Sequence, residues 1–144
     1  MPSHLEQRFP NLRTGEYSET SAQTREYNCF AYAVGIVDQW LSPDPDYSWI
    51  SDNREETIAG YIEAFRNKNF EICASGDIED GFDKLALYAH MGVPTHVARQ
   101  LPDGTWTSKL GCLEDITHTL NGLTGTPNPY LPYGQVVQFL RRHR

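Results

Sequence analysis

From Cys29 to Leu41 the apolar residues Phe30, Ala31, Ala33, Val34, Val37, Trp40 and Leu41 recur at three- and four-residue steps. That period predicts a helix with one buried face. Gly35 lowers its propensity, and the prolines of SPDPDYSW (42–49) end it. A second stripe, Ile58, Tyr61, Ile62 and Phe65, with Phe70 beyond, predicts another helix. Ser51 or Asp52 is its expected N-cap, with Glu55 and Glu56 in the first turn. FEICASGDIEDGF (70–82) reads as a short strand and a turn.

The pattern then shifts to alternation. KLALYAH (84–90) has the length of a buried strand, MGVP (91–94) reads as a turn, and THVARQL (95–101) alternates apolar with polar. PDG (102–104) is a hairpin signal, since proline presets one turn angle and glycine accepts a positive φ. TWTSKL (105–110) alternates again, giving an antiparallel meander of three strands. LEDITHTLNGL (113–123) is a candidate helix ended by Asn121-Gly122. TGTPNPYLPYG (124–134) is a Pro/Gly loop, and GQVVQFLRR (134–142) is a closing strand. Residues 1–24 read as an irregular lead-in and 25–144 as a single domain. Helices followed by a run of strands predict an α+β fold, with the helices packed on one face of an antiparallel sheet.

Composition narrows the function. The 144 residues carry 12 basic and 19 acidic side chains, a net charge of -7, opposite in sign to a phosphate-tracking surface. Nucleic acid is therefore not an expected partner. No apolar run is long enough for a membrane helix, and the first residues lack a signal-peptide pattern, so the expectation is a cytoplasmic chain, with signal-independent export left open. The three cysteines, Cys29, Cys73 and Cys112, contain no CxxC pair, which leaves zinc-ribbon or redox motifs without support. The acidic stretch GDIEDGFDK (76–84) lacks the ligand order of a calcium loop and reads as a solvated turn. No cofactor and no metal are expected.

The candidate chemistry centres on Cys29, at the start of the first helix. A helix N-terminus favours thiolate over thiol. The Cys29 amide would point to a developing oxyanion, and the Asn28 side chain offers a second donor. His96 opens a meander strand and would serve as base and then acid. Ser108 stands on the next strand, where a partner for the imidazole is needed. Trp106 shares the face of Ser108 and is either a substrate platform or core. Lys109 and Arg99 are candidates to meet a substrate carboxylate. Against all this stands the plainer reading, in which Cys29 and His96 are packed core residues, as most buried cysteines are. Cys73 and Cys112 read as packing thiols. His118 lies a helical step from Glu114 and Asp115, a face suited to bind a metal or supply the orienter, or merely solvated.

NC ahead of an apolar helix, then a strand carrying THVAR, then a strand after PDG, resembles the papain-like cysteine hydrolases, above all their compact NlpC-type peptidases and amidases. It also resembles uncharacterised bacterial proteins of this size. The likeness implies Cys29 as nucleophile, His96 as base and Ser108 as orienter over residues 27–110. The chain departs from that pattern at Phe30, where a small residue is usual, at Ser108, a weak orienter, and at Arg99 on the His96 strand. The expected activity is thiol attack on an amide of a peptide, a peptidoglycan stem or a protein glutamine, through a thioester. The rival expectation is a non-enzymatic module, an inhibitor, immunity or structural protein, that binds a protein partner through the TPNPYLPYG loop. A third is a metal protein using His96, His118 and nearby acids.

Overall fold

A computed structural model of the chain describes residues 4–110, 113–128 and 131–144. Seven strands form one sheet: β1 (Ser18–Ser21), β2 (Glu71–Cys73), β3 (Phe82–His90), β4 (Val93–Gln100), β5 (Trp106–Lys109), β6 (Asp115–His118) and β7 (Gln135–His143). Their order is β1-β6-β5-β4-β3-β7-β2, and every neighbouring pair is antiparallel. Among the described residues three α-helices accompany it: α1 (His4–Arg8), α2 (Cys29–Ala33) and α3 (Ile58–Arg66). The fold is therefore α+β, and its centre is the expected meander, extended from three strands to four.

The strand registers divide the side chains cleanly between two faces. Leu85, Leu87, Val97 and Leu140 face α2 and α3, packing with Cys29, Phe30, Ala31, Tyr61 and Phe65. Ala86, Tyr88, Ala98, Trp106 and Ile116 face the opposite way, onto Leu5, Phe9, Leu12 and Tyr133. Helices thus cover both faces, where one was expected. The N-terminal segment is not an irregular lead-in: α1, a 3-10 turn at Pro10–Thr14 and β1 bury Leu5, Phe9 and Leu12 almost completely.

Three further expectations are corrected. The first helix stops at Ala33, eight residues short of Leu41. Gly35 has φ +86 and ends it. Its N–H donates to the Tyr32 carbonyl and the Ile36 N–H to the Ala31 carbonyl, closing the last turn with the paired bonds of a glycine-terminated helix. α3 begins later than expected, with Thr57 as N-cap; its hydroxyl accepts the Gly60 N–H at 3.0 Å. Residues 113–123 are not a helix: Asp115–His118 is a strand paired with both β5 and β1, followed by a 3-10 turn at Asn121–Leu123. The alternation Asp115, Ile116, Thr117, His118, rich in β-branched residues, suits a pleated strand.

The hairpins follow their turn chemistry. Leu101 and Thr105 close the PDG turn, with Gly104 at φ +91. Between β3 and β4 the turn is Met91-Gly92 alone, both at positive φ, and the strand resumes at Val93. β7 begins after Gly134, whose φ is +82 and whose α-carbon lies so close to the Ala89 carbonyl that a Cβ would sit 2.3 Å from its oxygen.

Candidate functional site

Asn28 builds the local frame around Cys29. Its Oδ1 accepts the Ala31 N–H at 3.2 Å as a helix N-cap and the Leu41 N–H at 3.1 Å. Its Nδ2 donates to the Leu41 carbonyl at 2.6 Å. The amide is thus committed to pinning the 34–41 loop against α2, rather than poised over the thiol.

Cys29 is 8% exposed and lies on the face of the sheet that carries Val97. Burial pushes its thiol up to about 11, against the opposing pull of the backbone N–H groups of Val97, Phe30 and Cys29 and of the Lys109 ammonium. The helix terminus alone does not deliver a thiolate here, because desolvation outweighs it.

His96 projects to the other face. It sits opposite Tyr88 in the β3–β4 register, and its ring stacks on Tyr133 at 4.1 Å and 3°. Tyr88 meets it edge-on at 5.6 Å. The ring is fully buried, and neither nitrogen has a hydrogen-bond partner among the described residues. Burial, and then the neighbouring His118, hold its pKa well below 6.5, so the ring is neutral. No bond joins it to the Cys29 thiol.

Ser108 and Trp106 share a face, as their parity predicts, and the β4–β5 register puts His96 on it as well. Ser108 is fully buried and bonds His118, Oγ to Nε2, at 2.7 Å. His118 Nδ1 lies 2.7 Å from the Thr119 carbonyl, which accepts its proton and leaves Nε2 to accept from Ser108. Burial lowers the His118 pKa to about 4. Trp106 packs on Phe139 as a core residue. His118 was expected on a helix with Glu114 and Asp115; on a strand it shares a face with Glu114, while Asp115 points away.

The polar groups on the Cys29 face include Arg99, Thr107, Lys109 and Asp115. Arg99 lies over the Tyr32 ring at 4.8 Å, and Tyr32 bonds the Thr107 hydroxyl at 2.9 Å. Tyr27 donates to Asp115 Oδ2 at 2.5 Å and Ser21 donates to the same oxygen at 2.9 Å. Lys109 is fully buried and donates to the Leu113 carbonyl. This network is spread over β1, β4, β5, β6 and α2, and the sequence alone does not join its members. Cys73 is half-buried on β2, and Cys112 lies outside the described residues. In the acidic turn, Glu79 takes the buried Lys84 at 2.6 Å and Arg141 at 2.6 Å.

A cleft of about 410 Å³ opens beside Cys29, walled by Phe30, Trp40, Leu41, Tyr61, Leu131 and Tyr133. Leu131 and Tyr133 bring the Pro/Gly loop to it. No helix among the described residues is long and apolar enough to cross a membrane. No curated protein and no solved structure matches the chain. Residues 18–141, from the start of β1 into β7, match the family described as a domain of unknown function (DUF7689), and the chain belongs to that family.

Proposed function

We propose that the chain is a protein-binding module whose cleft receives an apolar side chain from a basic segment of a partner protein. The observation that carries this reading is the separation of Cys29 and His96 on opposite faces of the sheet, beside a cleft walled by aromatic rings. Such walls offer large, rigid contact area to an apolar anchor. The net charge of -7 favours a cationic partner. At the cleft itself, burial raises the Tyr61 pKa, and the neighbouring Cys29 and Glu56 add to the rise.

A second reading is kept alive by one observation: the Cys29 thiol lines the same cleft, at the start of α2. As a cysteine-dependent amide hydrolase of papain-like type, the chain would need its base from the thiol's own face, where Lys109 and Asp115 stand.

The test is an amide NMR titration of the full chain with synthetic Lys/Arg-rich peptides bearing one Leu, Phe or Trp. Saturable shifts at Phe30, Trp40, Tyr61 and Tyr133, lost when the anchor is replaced by Ser, are expected. Absence of binding, or shifts that ignore the anchor, would overturn the binding reading. Cleavage or deamidation of a peptide that stops in Cys29→Ser would establish the hydrolase in its place.

A further inference from the structure

We propose that His4, Glu19 and Glu114 form a binding site for a divalent transition-metal ion of the zinc class. The three side chains come from α1, β1 and the residue before β6, and their ligand atoms all lie within 4.8 Å of one another. Glu19 pairs with Ile116, two residues from Glu114, so both carboxylates are directed to the face that α1 covers.

Glu114 is the independent sign of a ligand. Its side chain is only 8% exposed, and its Oε2 accepts from His4 Nε2 at 2.6 Å. Its Oε1 is buried with no hydrogen-bond partner among the described residues, although Gln23 approaches the carboxylate. A buried carboxylate oxygen without a donor is costly, and a cation is the ligand that satisfies it.

The donor set selects the ion. One imidazole and two carboxylates are all zinc ligand types, and three protein donors leave a fourth position for water. Imidazole favours zinc-class ions over magnesium or calcium. Two carboxylates and a neutral imidazole balance a double positive charge. Zinc–ligand bonds of about 2 Å need donors about 3.4 Å apart, so the His4–Glu114 pair must open from 2.6 Å while Glu19, within 4.8 Å of the others, moves in. Glu19 is exposed and free to make that movement.

Arg8 opposes the ion. It donates to His4 Nδ1 at 3.2 Å and to the His4 carbonyl at 3.1 Å. With Nδ1 accepting, the ring proton sits on Nε2, facing Glu114. Metal binding at Nε2 shifts that proton to Nδ1 and breaks the Arg8–ring bond. Removing Arg8 therefore strengthens binding.

The experiment is calorimetric titration of the chelator-stripped full chain with zinc chloride, with magnesium chloride as comparator. One saturable zinc site is expected, with Glu19→Gln and Glu114→Gln weakening it at least about tenfold. Arg8→Ala should tighten it, and zinc should raise the melting temperature of wild type but not of Glu19→Gln, whose exposed side chain leaves folding intact. Cobalt should bind without a thiolate charge-transfer band. No saturable binding, equal affinity in Glu19→Gln, or a thiolate band that traces the metal to cysteine would each overturn the site. None of these outcomes depends on the cleft beside Cys29.

Discussion

The Cys29 thiol offers the sharpest test of how burial competes with a helix terminus. Its pKa stands at about 11, against an ordinary 9.0. At neutral pH that displacement leaves roughly a hundredth of the thiolate an unperturbed cysteine would hold. The perturbation is pH together with His96→Ala, and the assay is competitive iodoacetamide labelling with each modified cysteine identified by mass spectrometry. Cys73, half-buried on the β2 edge, is the internal reference and should label first. Labelling of Cys29 should climb about tenfold per pH unit through the alkaline range, flattening only near pH 11. His96→Ala should leave that profile unchanged, because the imidazole lies across the sheet, stacked on Tyr133. Rapid labelling of Cys29 ahead of Cys73 at neutral pH, slowed by His96→Ala, would refute the reasoning and show an activated pair.

Other outcomes follow from the packing. Folded His118 titrates near 4 against 6.5 unfolded, so its contribution is complete above about pH 6.5 and is lost as the pH falls toward 4. The His118 share of the loss is on the order of 3 kcal/mol, and His96 is displaced in the same direction; urea unfolding across this range should show it, and His118→Gln should remove the His118 share while leaving that of His96. Tyr27→Phe removes the donor to Asp115 Oδ2, whose partner oxygen Oδ1 is already without a bond among the described residues, and should cost about 1.5–3 kcal/mol by the same assay. Phe65→Ala empties a fully buried ring site between Phe30 and Phe70 and should cost about 3–5 kcal/mol in chemical denaturation. Gly134→Ala meets both the positive φ and the Ala89 carbonyl, and its melting temperature should fall by an amount corresponding to more than about 1 kcal/mol.

The strands that could be read in the sequence are those whose apolar alternation is bounded by turn residues: the meander, the PDG hairpin and β7. The α3 stripe was equally plain, since four apolar residues repeat at helical steps. The first helix was overread because Gly35 looks the same in a sequence whether it sits inside a helix or terminates one. Only the bonds from Gly35 and Ile36 back to Tyr32 and Ala31 decide between the two. Residues 113–123 were misread because Leu113, Ile116 and Leu120 fall at helical steps, while the pairing of Asp115–His118 with two distant strands outweighs that period. For the site, the shared face of Trp106 and Ser108 followed from strand parity. The partition of Cys29 from His96 did not, because one residue of register decides whether His96 or Val97 meets α2.

The place of β7 between β3 and β2 bears on how the chain is assembled during synthesis. β4, β5 and β6 can each zip onto the preceding strand as it emerges. β3, with six consecutive buried residues, keeps one edge open until residues 135–143 have been made, and β2 has no other partner in the sheet. In that interval the nascent protein displays an apolar strand with unpaired amides, a template for pairing with another chain. Folding yield, more than the stability of the finished fold, should therefore be sensitive to substitutions in β7.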